Sequence, residues 1–105
     1  LFIDSTNNQK TIVKIGDYEF VREVDSPRDQ DVFGLLTASL EKLHLKPSAV
    51  TEIVVNTGPG SFTGTRIGVS IANALGYALK IPVNSQNLPV EPVYSSPPSI
   101  STPKP

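Results

Sequence analysis

The residues of this chain whose types and spacing could do chemistry lie in one turn and one loop. The turn is Asp4-Ser5-Thr6, after a short apolar run. The loop is Gly58-Pro59-Gly60, between the apolar run Ile53-Val54-Val55 and a helical stretch opened by Ser61. A glycine-rich loop ahead of a helix can offer backbone N–H groups to an anion. Arg66, near the start of that helix, could add a guanidinium fork. Asp4, Ser5, Gly58 and Gly60 are therefore the candidate phosphate-binding residues. The loop lacks the Gly-Lys-Ser/Thr of a Walker motif and does not match the dinucleotide fingerprint. The same residues also suit a purely local role, in which the glycines make a tight turn, Pro59 stiffens it and Ser61 caps the helix.

Other chemistries find less support. One carboxylate, Asp4, makes a weak metal site, and Asp followed by Ser and Thr is ordinary turn chemistry. Ser61 lacks the nucleophile-elbow pattern, because positions 59 and 63 are Pro and Thr rather than Gly. The single histidine, His44, falls at a helix end, where it favours the helix dipole. No catalytic residue and no metal site is expected. Cysteine is absent, which excludes disulfides, thiolate metal sites and thiol catalysis.

The helix after Ser61 carries Gly64, Gly68, Ala72 and Gly76 at a strict four-residue spacing, so they share one face. Glycine inside a helix costs about 1 kcal/mol relative to alanine, and close packing against another backbone is the simplest compensation. Ile67, Ile71, Leu75 and Leu79 lie on a neighbouring face and are the bulkier candidates for the internal core. The expectation is that they face the sheet and leave the small stripe, rimmed by Phe62 and Arg66, as a partner-binding surface. The alternative is that the stripe lets the helix lie close against its own sheet.

These groups must be held by a small scaffold. A chain of 105 residues suffices for one domain, and its net charge of −1 provides no global field for nucleic acid. No apolar run approaches a membrane span, and the first residues lack the pattern of a signal peptide, so the cytoplasm is the expected compartment. Leu1-Phe2-Ile3 reads as a strand. Thr11 to Ile15, the turn Gly16-Asp17 and the alternating Tyr18 to Val24 read as an antiparallel meander with one buried face. A helix is expected from Asp29 to His44, with Val32, Phe33, Leu36, Leu40 and Leu43 as its apolar stripe and Asp29 and Asp31 favouring its start. Ile53-Val54-Val55 reads as a strand buried on both faces. The second helix runs from Phe62 to Lys80, and Ile81-Pro82-Val83 begins a last strand. The order β-β-β-α-β-α-β predicts an α/β fold, a mixed sheet with packed helices, over residues 1–85. Residues 86–105 hold six prolines and read as an extended tail. Val90, Val93, Tyr94 and Ile100 are its candidate anchors.

Three segments resemble a known family. Leu1-Phe2-Ile3-Asp4-Ser5-Thr6 is similar to its opening strand and turn. Gly58 through Gly68 is similar to its most specific signature, and Ala78-Leu79-Lys80-Ile81-Pro82-Val83 to the strand that follows. The family is TsaB, also called YeaZ, which takes part in threonylcarbamoyladenosine modification of tRNA. The resemblance implies a single ribonuclease-H-like, actin-like lobe. It further implies a non-catalytic scaffold that pairs, through its two helices, with a TsaD-like transferase, joined by a TsaE-like ATPase. On that reading ATP is used by the partner subunits, this chain needs no cofactor of its own, and tRNA is met only through the complex. Against the family's usual two lobes, the expectation is a shortened form without the second lobe, and self-association is a further expectation. Two rival readings stand beside this one: a small nucleotide-binding enzyme of the actin-like superfamily, and a homodimeric interaction module.

Overall fold

The computed structural model describes residues 1–24, 31–87 and 89–93. Three strands open the chain: β1 (Phe2–Asp4), β2 (Lys10–Ile15) and β3 (Tyr18–Glu23). They pair antiparallel, with Ile3 opposite Val13 and Val13 opposite Phe20. Gly16, at a φ of +60°, takes the left-handed conformation that the two-residue turn into β3 requires. The fourth strand, β4 (Val54–Val55), lies parallel to β1, and the order across the sheet is β3-β2-β1-β4. A parallel pair needs a crossover, supplied here by helix α1 (Val32–Lys42).

Side-chain alternation places Ile3, Val13, Phe20 and Val55 on one face of the sheet. Both helices cover that face: α1 over β2 and β3, and α2 (Phe62–Leu79) over β1 and β4. Ile3, Val13 and Ile53 are fully shielded from solvent there. The opposite face carries Phe2, Ile12, Lys14, Val21 and Val54. Lys14 sits 5.5 Å from the centroid of the Phe2 ring. Val54 is 42% exposed, so the expectation of a strand buried on both faces fails. A sheet with helices on one side only leaves every second residue of its strands to solvent.

Helix α1 starts later than expected. Asp31 is its N-cap, and its carboxylate accepts from the Gly34 N–H at 2.8 Å. Asp29 lies outside the described residues. The buried face is Val32, Leu35, Leu36, Ser39 and Leu40, whereas Phe33 is 60% exposed. Successive helical residues lie about 100° apart, which puts Phe33 off the side that Val32, Leu36 and Leu40 turn to the core.

The last expected strand contracts to a single parallel bridge between Val83 and Ile53. Asn84 and Ser85 then take positive φ and turn the chain so that Val83 bridges Gln86. The Asn84 amide accepts from the Val55 N–H at 2.8 Å and donates to the Val55 carbonyl at 3.1 Å, standing in for a further strand. Asn73 does the same for the tail, bonding both backbone groups of Val90, at 3.0 and 2.9 Å. Residues 89–93 thus pack on the folded unit across the expected boundary at residue 85. Tyr94 and Ile100 lie outside the described residues.

Among the described residues one buried side chain is left without a polar partner: the Thr65 hydroxyl, on the inner face of α2. An unpaired buried hydroxyl costs about 1–3 kcal/mol. Thr65→Val, which keeps the shape and removes the hydroxyl, is expected to raise stability by about 1 kcal/mol, read as a higher urea midpoint at unchanged slope. A lower midpoint would show that the hydroxyl is satisfied.

Candidate functional site

The loop after β4 and the turn after β1 form one bonded unit. The Ser61 N–H donates to the Thr6 carbonyl at 2.8 Å, and the Ser61 hydroxyl accepts from the Gly64 N–H at 3.1 Å, capping α2 as its sequence position implies. Gly60 presses on Thr6: a β-carbon at Gly60 would lie 2.5 Å from the Thr6 Cβ. The buried Ser5 hydroxyl donates to the Gly64 carbonyl at 2.6 Å. Asp4 holds the centre. Its Oδ1 accepts from the Thr6 N–H and hydroxyl, at 3.0 and 2.7 Å, and its Oδ2 accepts from the Asn56 amide at 3.1 Å. Gly58, at a φ of +104°, donates its N–H to Asn56 Oδ1 at 3.0 Å and leaves room for the carbonyl of Val93.

Asp4, Ser5, Gly58 and Gly60 therefore do converge, but not as an anion cradle. The Gly58, Ser61 and Gly64 N–H groups are spent internally, Pro59 has none, and the Ser5 hydroxyl is buried and bonded. Partial burial raises the Asp4 pKa, yet the Thr6 bonds, the Asn56 amide and the charge of Lys10 together outweigh it and hold the carboxyl below its ordinary value. A carboxylate that stays ionised repels a phosphate. The network anchors the loop, and an anion there would have to compete with these bonds.

The small-residue stripe is corrected. Gly64, Gly68, Ala72 and Gly76 are all buried. They face this chain's own strands rather than open surface. A β-carbon at Gly68 would lie 2.2 Å from the Ser5 Oγ, and one at Gly76 would lie 2.5 Å from the Val83 Cγ2. Ile67, Ile71, Leu75 and Leu79 are only partly buried and pack at the margin of the core. The reason is volume: bulky residues beneath α2 would hold it off β1, and the Ser5–Gly64 bond would then be out of reach.

Phe62 and Arg66, expected at the rim of the stripe, lie on the solvent side of α2. Phe62 is 43% exposed and Arg66 is exposed, with the guanidinium 5.1 Å from the Phe62 ring centroid. Beside them, Thr63, Arg66, Ile67, Ser70 and Ile71 line a shallow groove. Sequence reasoning missed Tyr77, which is 87% exposed two residues before the helix end, and the Asn73 and Asn84 clamps. Asn84 had a signal, since Asn tolerates positive φ and suits tight turns. Among the described residues no group of three or more His, Cys, Asp or Glu side chains could hold a metal ion, and no helix is long and apolar enough to cross a membrane.

Two outcomes follow. Gly68→Ala gains about 1 kcal/mol of helix propensity but must displace Ser5, and overpacking costs about 1–3 kcal/mol. A net loss of stability in urea unfolding is expected, and a gain would show that α2 has room to move. Asp4 has a lowered folded pKa, so its stabilisation is fully present above the unfolded carboxylate value of about 4 and fades as pH falls through the lower folded value. The stability gap between the parent chain and Asp4→Asn should be constant from neutral pH down to about 5 and narrow below about 4. A gap that widens on acidification would contradict the assignment.

Comparison with known proteins places this geometry. The family model described as TsaD, tRNA N6-adenosine threonylcarbamoyltransferase, matches residues 29–87, more than half of the chain. The tRNA threonylcarbamoyladenosine biosynthesis protein TsaB of Bacillus subtilis (strain 168) is 44% identical over 46 residues, covering 44% of this chain and 20% of that protein. An uncharacterized protein, ML0378, of Mycobacterium leprae (strain TN) is 56% identical over 32 residues, covering 30% of this chain and 9% of its own length. Among solved structures, YeaZ from Pseudomonas aeruginosa superposes with a TM-score of 0.64 at 25% identity, over 78% of this chain and 41% of that one. A protein described as similar to peptidase YeaZ from Pseudomonas aeruginosa gives a TM-score of 0.64 at 26% identity, over 78% and 39%. The chain thus spans about a fifth or less of the curated relatives it matches and about two-fifths of the solved neighbours. With the fold of YeaZ and the signature loop in the matched segment, the chain belongs to the family described as TsaD, tRNA N6-adenosine threonylcarbamoyltransferase, and is TsaB/YeaZ-like within it.

Proposed function

We propose that this chain takes part in threonylcarbamoyladenosine modification of tRNA as a non-catalytic scaffold, pairing with a TsaD-like transferase through the outer surface of α2. A TsaE-like ATPase joins the pair in the cytoplasm, ATP is used by those partners, and tRNA is met through the assembly. The observation that carries this reading is the Phe62–Arg66 pair. It is solvent-facing, it lies in the segment that matches the family, and it borders the groove of Thr63, Ile67, Ser70 and Ile71. Aromatic residues and arginine are the side chains most enriched at the centres of protein interfaces. The guanidinium already stands over the ring, so a partner covering the two together would meet a pair whose geometry is largely set.

The site chemistry supports a scaffold over a catalyst. The polar groups near the loop bond one another, and the sole histidine, His44, is exposed beyond the end of α1, far in sequence from Ser61. Recognition would therefore rest on the helix surface and not on the loop.

Titration of the purified chain against the TsaD-like transferase of its own organism tests this reading. One complex is expected by size-exclusion chromatography. Phe62→Ala with Arg66→Glu should weaken it by about tenfold or more, while the unfolding transition of the free chain stays unchanged. Unaltered affinity would move the surface elsewhere, and the absence of any complex would end the pairing hypothesis.

A further inference from the structure

Residues 89–93 are fastened to two separate parts of the fold. At one end the Asn73 side chain, in the second half of α2, takes both backbone groups of Val90, accepting from its N–H at 3.0 Å and donating to its carbonyl at 2.9 Å. Val90 is itself buried in the core cluster. At the other end the Val93 N–H donates to the Thr57 carbonyl, and the Val93 carbonyl lies against Gly58, where any side chain would collide with it. The two anchors are three residues apart, a reach of about 10 Å in extended chain.

The stretch between them is stiff. Pro89 and Pro92 each fix their own φ, and Glu91, as the residue before a proline, is biased to extended backbone. Such a segment loses little conformational entropy on docking. It also has little slack, so one anchor does not let go while the other holds. The loop has its remaining ties on the β1 side, where Asn56 links Asp4 to the Gly58 N–H and the Ser61 N–H donates to the Thr6 carbonyl. The Val93 contacts connect it instead to the far half of α2.

We propose that residues 89–93 are a latch on the loop: the Asn73 amide holds the latch closed, and its release at Val90 frees Val93 and loosens the loop at Thr57 and Gly58. The hold rests chiefly on these three hydrogen bonds and the burial of Val90, much less than holds the sheet. Segments held so lightly open locally, without global unfolding. The loop leads directly into Ser61 and Phe62, so the latch sets how firmly the start of α2 is held. That use of the latch rests on the pairing surface proposed above. The latch itself is read in the free chain, so either can fail without the other.

Hydrogen exchange of the free, full chain, followed by NMR, tests the inference. In the parent chain the Val90, Val93 and Gly58 amides should share one protection factor, at least about tenfold below that of the β2 amides. Asn73→Asp keeps the side chain's size and the acceptor for the Val90 N–H, but turns a carboxylate oxygen on the Val90 carbonyl. It should lower protection at Val90, Val93 and Gly58 together by about tenfold and leave β2 unchanged. Loss confined to Val90 and Val93, with Gly58 untouched, overturns the latch. So does an equal loss in β2, which would make Asn73 a general stabiliser of the fold. Should Asn73→Asp fail to fold, the parent chain decides: unequal protection at the three amides, or protection as high as that of β2, overturns it.

Discussion

The structure depends on how closely α2 lies against β1. The Ser5 hydroxyl reaches the Gly64 carbonyl at 2.6 Å, and Gly68 leaves no side-chain atom between the helix and Ser5. At the other end Gly76 abuts Val83 and the Ile81 carbonyl. These contacts fix both the height and the direction of the helix over the β1–β4 pair. Glycine is unfavourable in a helix by about 1 kcal/mol, and here that cost is offset by dispersion contacts and a buried hydrogen bond that a larger residue would forbid. The loop depends on the same approach. If α2 rode higher, the Ser61 N–H would lose the Thr6 carbonyl, and the cap and the turn after β1 would part.

This explains what could and could not be read from the amino-acid sequence. A four-residue repeat of small side chains states that some backbone comes close; it does not state whose. Both readings of the stripe satisfied the periodicity, and the volume of Ile67 and Ile71 pointed to the wrong one. Bulk does not decide burial when the neighbour is a main chain a few ångströms away. Local chemistry was more legible: Ser61 as a cap, Gly16 in the two-residue turn and Asp31 at the start of α1 each follow from one residue's conformational preference. What failed locally was phase. Phe33 lies about 100° round the helix from Val32, off the face that Val32, Leu35, Leu36, Ser39 and Leu40 bury. Asn84 could be read as a turn residue, but the partners of the Asn73 and Asn84 clamps could not be read, because they lie 17 and 29 residues away respectively.

The loop shows why a motif must be tested by counting donors. Glycines before a helix can bind an anion only if their N–H groups are unspent. Here Asn56 spans the site, donating to Asp4 and accepting from Gly58, so that one amide ties the end of β1 to the loop after β4. Asp4 draws its own donors from Thr6 and Asn56 and remains charged, which serves the turn and opposes a phosphate. The polar cluster is closed upon itself, and the position of Val93 against Gly58 closes it further.

The inward turn of the small residues has a consequence for the outside. A helix has a fixed number of faces, so when the stripe and Val69 fill the inner one, the larger apolar side chains are displaced to the flanks and beyond. Phe62, Ile67, Ile71 and Tyr77 are left at the margin or in solvent, next to few charges. With a net charge of −1 the chain has little long-range field. On the proposed reading, an encounter with a partner would rest on shape and on the aromatic–guanidinium pair rather than on steering from a distance. A helix built this way lines its inner face with small residues and carries its larger apolar side chains toward the margin and the solvent.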